Sequence, residues 1–140
     1  MAPDVVIEPT ASLGANPIIG TGTQIDQGVS VGDNAQIGSN VSLKQNVTAG
    51  DNLTVGDGTT INQGVTLGDN ITLGANVVID RDVMIGSGVT IGDGTRVGRD
   101  TVVGNNATIG TGVVIGKSVT VAAGAVIPDG TTVPAGATVP

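Results

Sequence analysis

Residues 65–79 read VTLGDNITLGANVVI, and this stretch carries three aliphatic residues at a constant spacing of six: Leu67, Leu73 and Ile79. The same phase gives an apolar residue at every sixth position from Ile7 to Val139, all of them Val, Ile or Leu except for one alanine. A helix needs apolar residues about 3.6 apart, and a half-buried strand alternates with a period of about two. A period of six therefore predicts a short strand and a turn, repeated without insertions.

The position three residues after each aliphatic residue predicts the geometry of the turn. It is Gly, Asn or Asp almost throughout, as at Gly64, Asn70 and Asn76. These residue types tolerate a positive φ, so we expect a left-handed backbone at this position. The residue before it is usually polar, which is typical of an exposed corner.

Composition limits the classes of function. The chain has 140 residues, 24 of them Gly, with no aromatic residue, no Cys and no His, and its formal net charge is −7. The acidic excess argues against binding to nucleic acid or to anionic membranes, because both need a basic surface. The N-terminus lacks the features of a secretion signal, and no apolar run approaches the roughly 20 residues that span a membrane. We therefore expect a cytoplasmic protein with a single domain over residues 1–140.

Units such as VTLGDN, ITLGAN and VTIGDG resemble the hexapeptide repeat of the left-handed β-helix, which is found in bacterial acyltransferases and γ-class carbonic anhydrases. The resemblance covers residues 5–139. It implies an all-β fold, a single-stranded left-handed parallel β-helix or triangular β-solenoid, with about 18 residues per coil and about 7.5 coils. The unbroken register and the lack of aromatic residues are typical of an idealised, designed or consensus-like member.

The same resemblance guides the prediction about catalysis. Enzymes of this family use a His as general base, and the γ-class carbonic anhydrases hold zinc with three His, whereas this chain has no His, no Cys nucleophile and no loop that interrupts the repeat. We therefore expect no enzymatic activity, no cofactor, no metal site and no small-molecule substrate. The predicted function is a non-catalytic structural scaffold.

Two alternatives to a scaffold stay open. One is a catalytically inactive acyltransferase-like domain that serves oligomerisation, associating as a trimer or end to end through flat Thr/Gly faces. The other is an ice-binding solenoid, because insect antifreeze proteins of similar fold present parallel Thr ranks. Stacking residues 18 apart gives one such rank here, beside a column of Gly: Thr54, Thr72, Thr90 and Thr108.

The same stacking brings polar residues into columns at the corners. We expect one corner to carry a ladder of hydrogen-bonded amides with a structural role: Asn16, Asn34, Asn52 and Asn70. Beside it stack Asp33, Asp51 and Asp69, which supply too few oxygens for Ca²⁺ and are predicted to be solvated turn residues.

All five basic residues are predicted to lie on one face or on the corner that follows it: Lys44, Arg81, Arg96, Arg99 and Lys117. We interpret this region as a charge-balanced, solvated edge, with an anion-binding strip as the alternative. The prolines occur only near the two ends: Pro3, Pro9, Pro17, Pro128, Pro134 and Pro140. Because proline removes a hydrogen-bond donor, we expect it to blunt the open strand edges of a solenoid.

Overall fold

The computed structural model describes residues 4–140, and this part of the chain is a left-handed parallel β-helix built from 23 strands of two residues each. The fold class that the resemblance implied is confirmed. Residues 4–140 contain no helix of the length and apolar character that crossing a membrane requires. The strands are, in chain order, β1 Val6–Ile7, β2 Ser12–Leu13, β3 Ile18–Ile19, β4 Gln24–Ile25, β5 Ser30–Val31, β6 Gln36–Ile37, β7 Ser42–Leu43, β8 Thr48–Ala49, β9 Thr54–Val55, β10 Thr60–Ile61, β11 Thr66–Leu67, β12 Thr72–Leu73, β13 Val78–Ile79, β14 Met84–Ile85, β15 Thr90–Ile91, β16 Arg96–Val97, β17 Val102–Val103, β18 Thr108–Ile109, β19 Val114–Ile115, β20 Thr120–Val121, β21 Val126–Ile127, β22 Thr132–Val133 and β23 Thr138–Val139.

These strands form three parallel sheets, which are the faces of a triangular prism. The first face contains β1 and every third strand up to β22, the second runs from β2 to β23, and the third from β3 to β21. Each strand pairs with the strand one coil away, so that Thr72 lies opposite Thr54 on one side and Thr90 on the other. The paired residues are 18 apart in sequence, as the resemblance to the hexapeptide-repeat β-helix implies.

The interior of the prism is aliphatic. The second residue of each strand points inward, and Ile25, Ile61 and Ile79 are fully buried. The residue two positions before it, such as Val29 or Val65, is also fully buried, because the corner turns that side chain into the prism. Full burial of one Val, Leu or Ile side chain stabilises a fold by roughly 1.5–3 kcal/mol, so stacked aliphatic columns can replace aromatic residues in this core.

The corners have the left-handed backbone that the Gly/Asn/Asp position predicts. The φ angle is 73° at Gly64, 60° at Asn70 and 57° at Asn76. Each inward residue is followed by a residue, usually Gly, whose N–H donates to the next coil, as in the 2.9 Å bond from Gly68 N to Ile85 O. These donors form a ladder directed towards the C-terminal end, while the left-handed corner residue donates back to the previous coil, as in the 2.9 Å bond from Asn70 N to Asp51 O.

The prolines at the C-terminal end occupy the donor positions of this ladder. One coil earlier, the equivalent N–H groups of Gly110, Gly116 and Ala122 donate to the last coil at 2.9 Å. In the last coil the same positions hold prolines, which have no N–H: Pro128, Pro134 and Pro140. A further coil stacked on this end would therefore lack one donor on every face. Pro9 and Pro17 lie in the first coil, and Pro3 lies outside the described residues.

Candidate functional site

The second face is flat and uncharged. Its outward residues are Ser or Thr in the N-terminal half, and they are followed by the adjacent pair Met84 and Val102. These two large apolar side chains are 55% and 45% exposed. Glycine follows the inward residue in every coil of this face up to Gly104, so no long side chain covers the sheet. An exposed apolar pair on a flat face is the kind of surface that packs against another protein surface.

The third face brings the predicted Thr rank together. Thr54, Thr72, Thr90 and Thr108 are exposed, and they lie in register on neighbouring strands. The column beside them is glycine, so the face carries a single Thr rank and not a paired one. The rank is therefore a flat array of hydroxyl and methyl groups at the coil spacing, which is about 4.8 Å in β-structure.

The corner between the second and third faces holds the predicted Asn column. The amide of Asn16 donates to Asn34 Oδ1 at 3.4 Å, Asn34 donates to Asn52 at 3.5 Å, and Asn52 donates to Asn70 at 3.0 Å. All four residues are exposed and have the left-handed φ of the turn. The geometry therefore gives these side chains a role in linking coils at the surface.

The aspartates of the same corner are exposed turn residues, as expected, and they also accept hydrogen bonds from the previous coil, which the sequence did not suggest. The carboxylate of Asp33 accepts the backbone N–H of Ala15 at 2.8 Å, and Asp51 accepts the N–H of Asp33 at 2.8 Å. A Cβ on the glycine before each amide would collide with this carboxylate, as at Gly14 beneath Asp33. An aspartate that caps a corner amide in this way thus requires a glycine just before that amide in the previous coil.

Buried threonines form a second inter-coil link that sequence reasoning missed. Thr23, Thr59 and Thr95 are fully buried at the corner that leads into the first face, and valines occupy the equivalent position in the intervening coils. Thr59 Oγ1 donates to Gly74 O at 2.8 Å and accepts the N–H of Val77 at 3.3 Å. The alternation of Thr and Val in steps of 18 was the available signal, since a purely apolar position would not select Thr in every second coil.

The first face is polar and carries a shallow groove of about 580 Å³. Here several residues after the inward position have side chains in place of the glycine found on the other faces. The residues that line the groove are Asp26, Lys44, Gln45, Asn62, Gln63, Asp80, Arg81 and Arg99. Its charges are mixed, with three basic and two acidic side chains. No group of three or more His, Cys, Asp or Glu side chains within residues 4–140 is arranged to hold a metal ion.

Two sequence profiles match most of the chain. The profile described as "Bacterial transferase hexapeptide (six repeats)" matches residues 10–45, 78–111 and 94–129. The profile described as "Hexapeptide repeat of succinyl-transferase" matches residues 46–81. No curated protein matches the sequence.

Solved structures with a similar fold include acetyl- and acyltransferases. The UDP-N-acetylglucosamine acyltransferase from Campylobacter jejuni is 17% identical with a TM-score of 0.52, and the match covers 87% of this chain and 67% of that one. The acetyltransferase domain of PglB from Neisseria gonorrhoeae is 24% identical with a TM-score of 0.49, covering 94% of this chain and 54% of that one. The GDP-perosamine N-acetyl transferase from Caulobacter crescentus is 23% identical with a TM-score of 0.48, covering 93% and 52%. The chain thus spans about half the length of two of these proteins.

These comparisons correct the prediction that the chain is not an enzyme. The two matching profiles are those of bacterial transferases, and together they cover most of the chain. The prediction rested on the absence of His, Cys and an interrupting loop from one chain. General bases also include carboxylates, and catalytic groups can come from outside the chain, so that absence does not exclude catalysis.

Proposed function

The chain belongs to the bacterial transferase hexapeptide family, and from this premise we propose that it is the β-helical module of a transferase, which assembles with further copies of itself through its second face. The observation that carries the proposal is the exposed pair Met84 and Val102 on an uncharged sheet. In a chain with a net charge of −7, copies approach through such an uncharged face with less repulsion than through the charged first face.

The ends of the prism support association through a face over end-to-end stacking. The three C-terminal prolines remove one of the donors on every face, so the edge of the last coil is a weakened template for strand addition. The first face is also less suitable, because its charged side chains would have to be desolvated and paired in an interface. The second face has no charged side chains to desolvate, and association through it needs no hydrogen bonds from the terminal strand edges.

The test is the oligomeric state in sedimentation velocity across a range of protein concentrations. We expect the parent chain to assemble. Met84→Lys should raise the protein concentration at which half of the assembly dissociates by about 100-fold, because the substitution places an unpaired charge within the interface. The matched control is Val114→Lys, since Val114 is 44% exposed on the first face. A monomeric parent chain would refute the proposal, as would equal effects of the two substitutions.

A second candidate function rests on the third face. Its four Thr residues lie in register on an uncharged, glycine-bordered sheet, which favours ordered water at a regular spacing. An ice-recrystallisation assay tests this candidate with Thr72→Lys, which interrupts the rank, and with Thr132→Lys on the first face as control. Ice binding would be supported if the parent chain and Thr132→Lys both inhibit ice recrystallisation and Thr72→Lys does not. Equal behaviour of the three proteins would exclude it.

A further inference from the structure

The backbone amide two residues after each inward residue, here called the corner amide, is capped by a side chain of the next coil at many corners. The capping group is always an Asp, Asn or Ser that lies 18 residues later, at distances from 2.8 to 3.1 Å. The capped amides are those of Ala15, Asp33, Ser39, Asp51, Asp69, Ala75, Ser87 and Thr111. All of them lie on the corners that follow the second and third faces.

The cap of Ala75 shows the geometry that such a site needs. Its N–H donates to Asp93 Oδ1 at 2.9 Å, and the preceding residue is Gly74. A Cβ on Gly74 would meet that oxygen, and it would lie 2.7 Å from Asp93 N and 3.0 Å from Asp93 Cα. The carboxylate oxygen therefore occupies the space that the glycine leaves open.

The corner after the first face repeats this geometry at Lys117 without the cap. The residue before Lys117 is Gly116, and the residue one coil later is Ala135, which has no acceptor in its side chain. A Cβ on Gly116 would lie 2.6 Å from Ala135 N and 2.9 Å from Ala135 Cα, so the next coil is placed as it is above Gly74. Within residues 4–140, the N–H of Lys117 donates no hydrogen bond.

The surroundings of this amide are basic. Arg81, Arg99 and Lys117 lie one coil apart in a single column, which holds three of the five basic residues of the chain. Asp82 follows Arg81 and Asp100 follows Arg99, whereas an uncharged residue, Ser118, follows Lys117. Two other corner amides have the same glycine before them and the same alanine one coil later, those of Asp57 and Asn105. Neither has a basic residue in its own column.

We propose that the Lys117 amide, together with the side chains of Lys117 and Arg99, binds a small organic polycarboxylate. One carboxylate oxygen of the ligand accepts the Lys117 N–H, as Asp93 Oδ1 accepts that of Ala75. The remaining carboxylates pair with the guanidinium of Arg99 and the ammonium of Lys117, because charge-assisted hydrogen bonds from Arg and Lys favour carboxylates. The site lies on the first corner, away from the second face, so it does not rest on the proposed assembly.

The experiment is a titration with citrate at constant ionic strength, followed by amide resonances in ¹H–¹⁵N NMR spectra. We expect a saturable shift of the Lys117 amide and no saturable shift of the Asp57 and Asn105 amides. Arg99→Gln should weaken citrate binding by about tenfold, the usual effect of losing one charge-assisted bond. Arg96→Gln should leave binding unchanged, because Arg96 lies outside this column.

The sharpest variant is Ala135→Asp, which supplies a carboxylate from the chain itself. We expect it to cap the Lys117 amide, to weaken citrate binding by at least about tenfold and to raise the urea midpoint. The matched control is Ala123→Asp, which adds the same charge and the same cap above Asn105, and should leave citrate binding unchanged.

Three results would overturn the proposal. The first is citrate binding to Ala135→Asp that equals binding to the parent chain. The second is a parallel response of the Lys117 and Asn105 amides, which would indicate a general ionic effect. The third is a sulfate titration that saturates the Lys117 amide at lower concentration than citrate does, because the site would then select tetrahedral anions over carboxylates.

Discussion

The buried hydroxyl of Thr59 offers a direct test of how the coils are linked. Its Oγ1 makes two hydrogen bonds to the next coil, at 2.8 Å to Gly74 O and at 3.3 Å from Val77 N–H, and the side chain is fully buried. Thr59→Val keeps the shape of the side chain and replaces the hydroxyl by a methyl group. The substitution therefore removes the two bonds without opening a cavity.

The expected loss is the difference between two opposing terms. Each hydrogen bond contributes about 1 kcal/mol to the net free energy of unfolding. The added methyl group returns about 0.8 kcal/mol by burial of apolar surface. Because the bond from Val77 is long, we expect Thr59→Val to lower the free energy of unfolding by about 1 kcal/mol, or the melting temperature by about 4 °C for a domain of this size.

Urea-induced unfolding followed by far-ultraviolet circular dichroism measures this difference, since the chain has no aromatic residue that could report by fluorescence. The matched control is Thr72→Val, which makes the same chemical change at an exposed outward position. The control should stay within about 0.5 kcal/mol of the parent chain. If Thr59→Val is as stable as the control, the buried hydroxyl does not link the coils and the reasoning fails.

Three further substitutions test other parts of the fold. Asp51→Ala removes the cap on the Asp33 amide and should lower the free energy of unfolding by about 1 kcal/mol in urea, with Asp26→Ala, on the first face, as a near-neutral control. Gly94 has a φ of 69°, and a Cβ added there would meet open space. Gly94→Ala should therefore lower the free energy of unfolding by about 1 kcal/mol, and Gly94→Asn by clearly less, because Asn tolerates this backbone conformation. Equal losses for the two variants would contradict a purely conformational cause. Replacing the three C-terminal prolines by glycine restores three backbone N–H donors. Sedimentation velocity should then detect species larger than those of the parent chain. An unchanged distribution would show that proline does not prevent stacking on this end of the prism.

The period of six was sufficient to predict the inward residues and the left-handed corners. Residues such as Leu67 and Asn70 recur at fixed positions, and their burial and φ follow directly from the size and backbone freedom of the side chain. The stacking of residues 18 apart also placed the Thr rank on a single face. These features are local, or they follow from the coil length alone.

Contacts between coils were harder to predict. The cap from Asp51 to the Asp33 amide depends on where the carboxylate points across two coils, and on the glycine that leaves room for it. Thr59 has the β-propensity of an outward residue, and its alternation with Val in steps of 18 was the one sign that its position faces inward. Catalysis could not be decided either, because the absence of His in one chain says nothing about groups supplied from elsewhere.

The pairing of a capping aspartate with a glycine one coil earlier also limits which segments of the repeat can be deleted or duplicated. Removing residues 51–68 would bring Asp69 above Gly32, which has room for its carboxylate. Removing only residues 51–56 would bring Asp69 above Lys44, whose Cβ would occupy that space. Although the sequence repeats every six residues, the segment that recombination can delete or duplicate without disturbing the corners is the full coil of three hexapeptides.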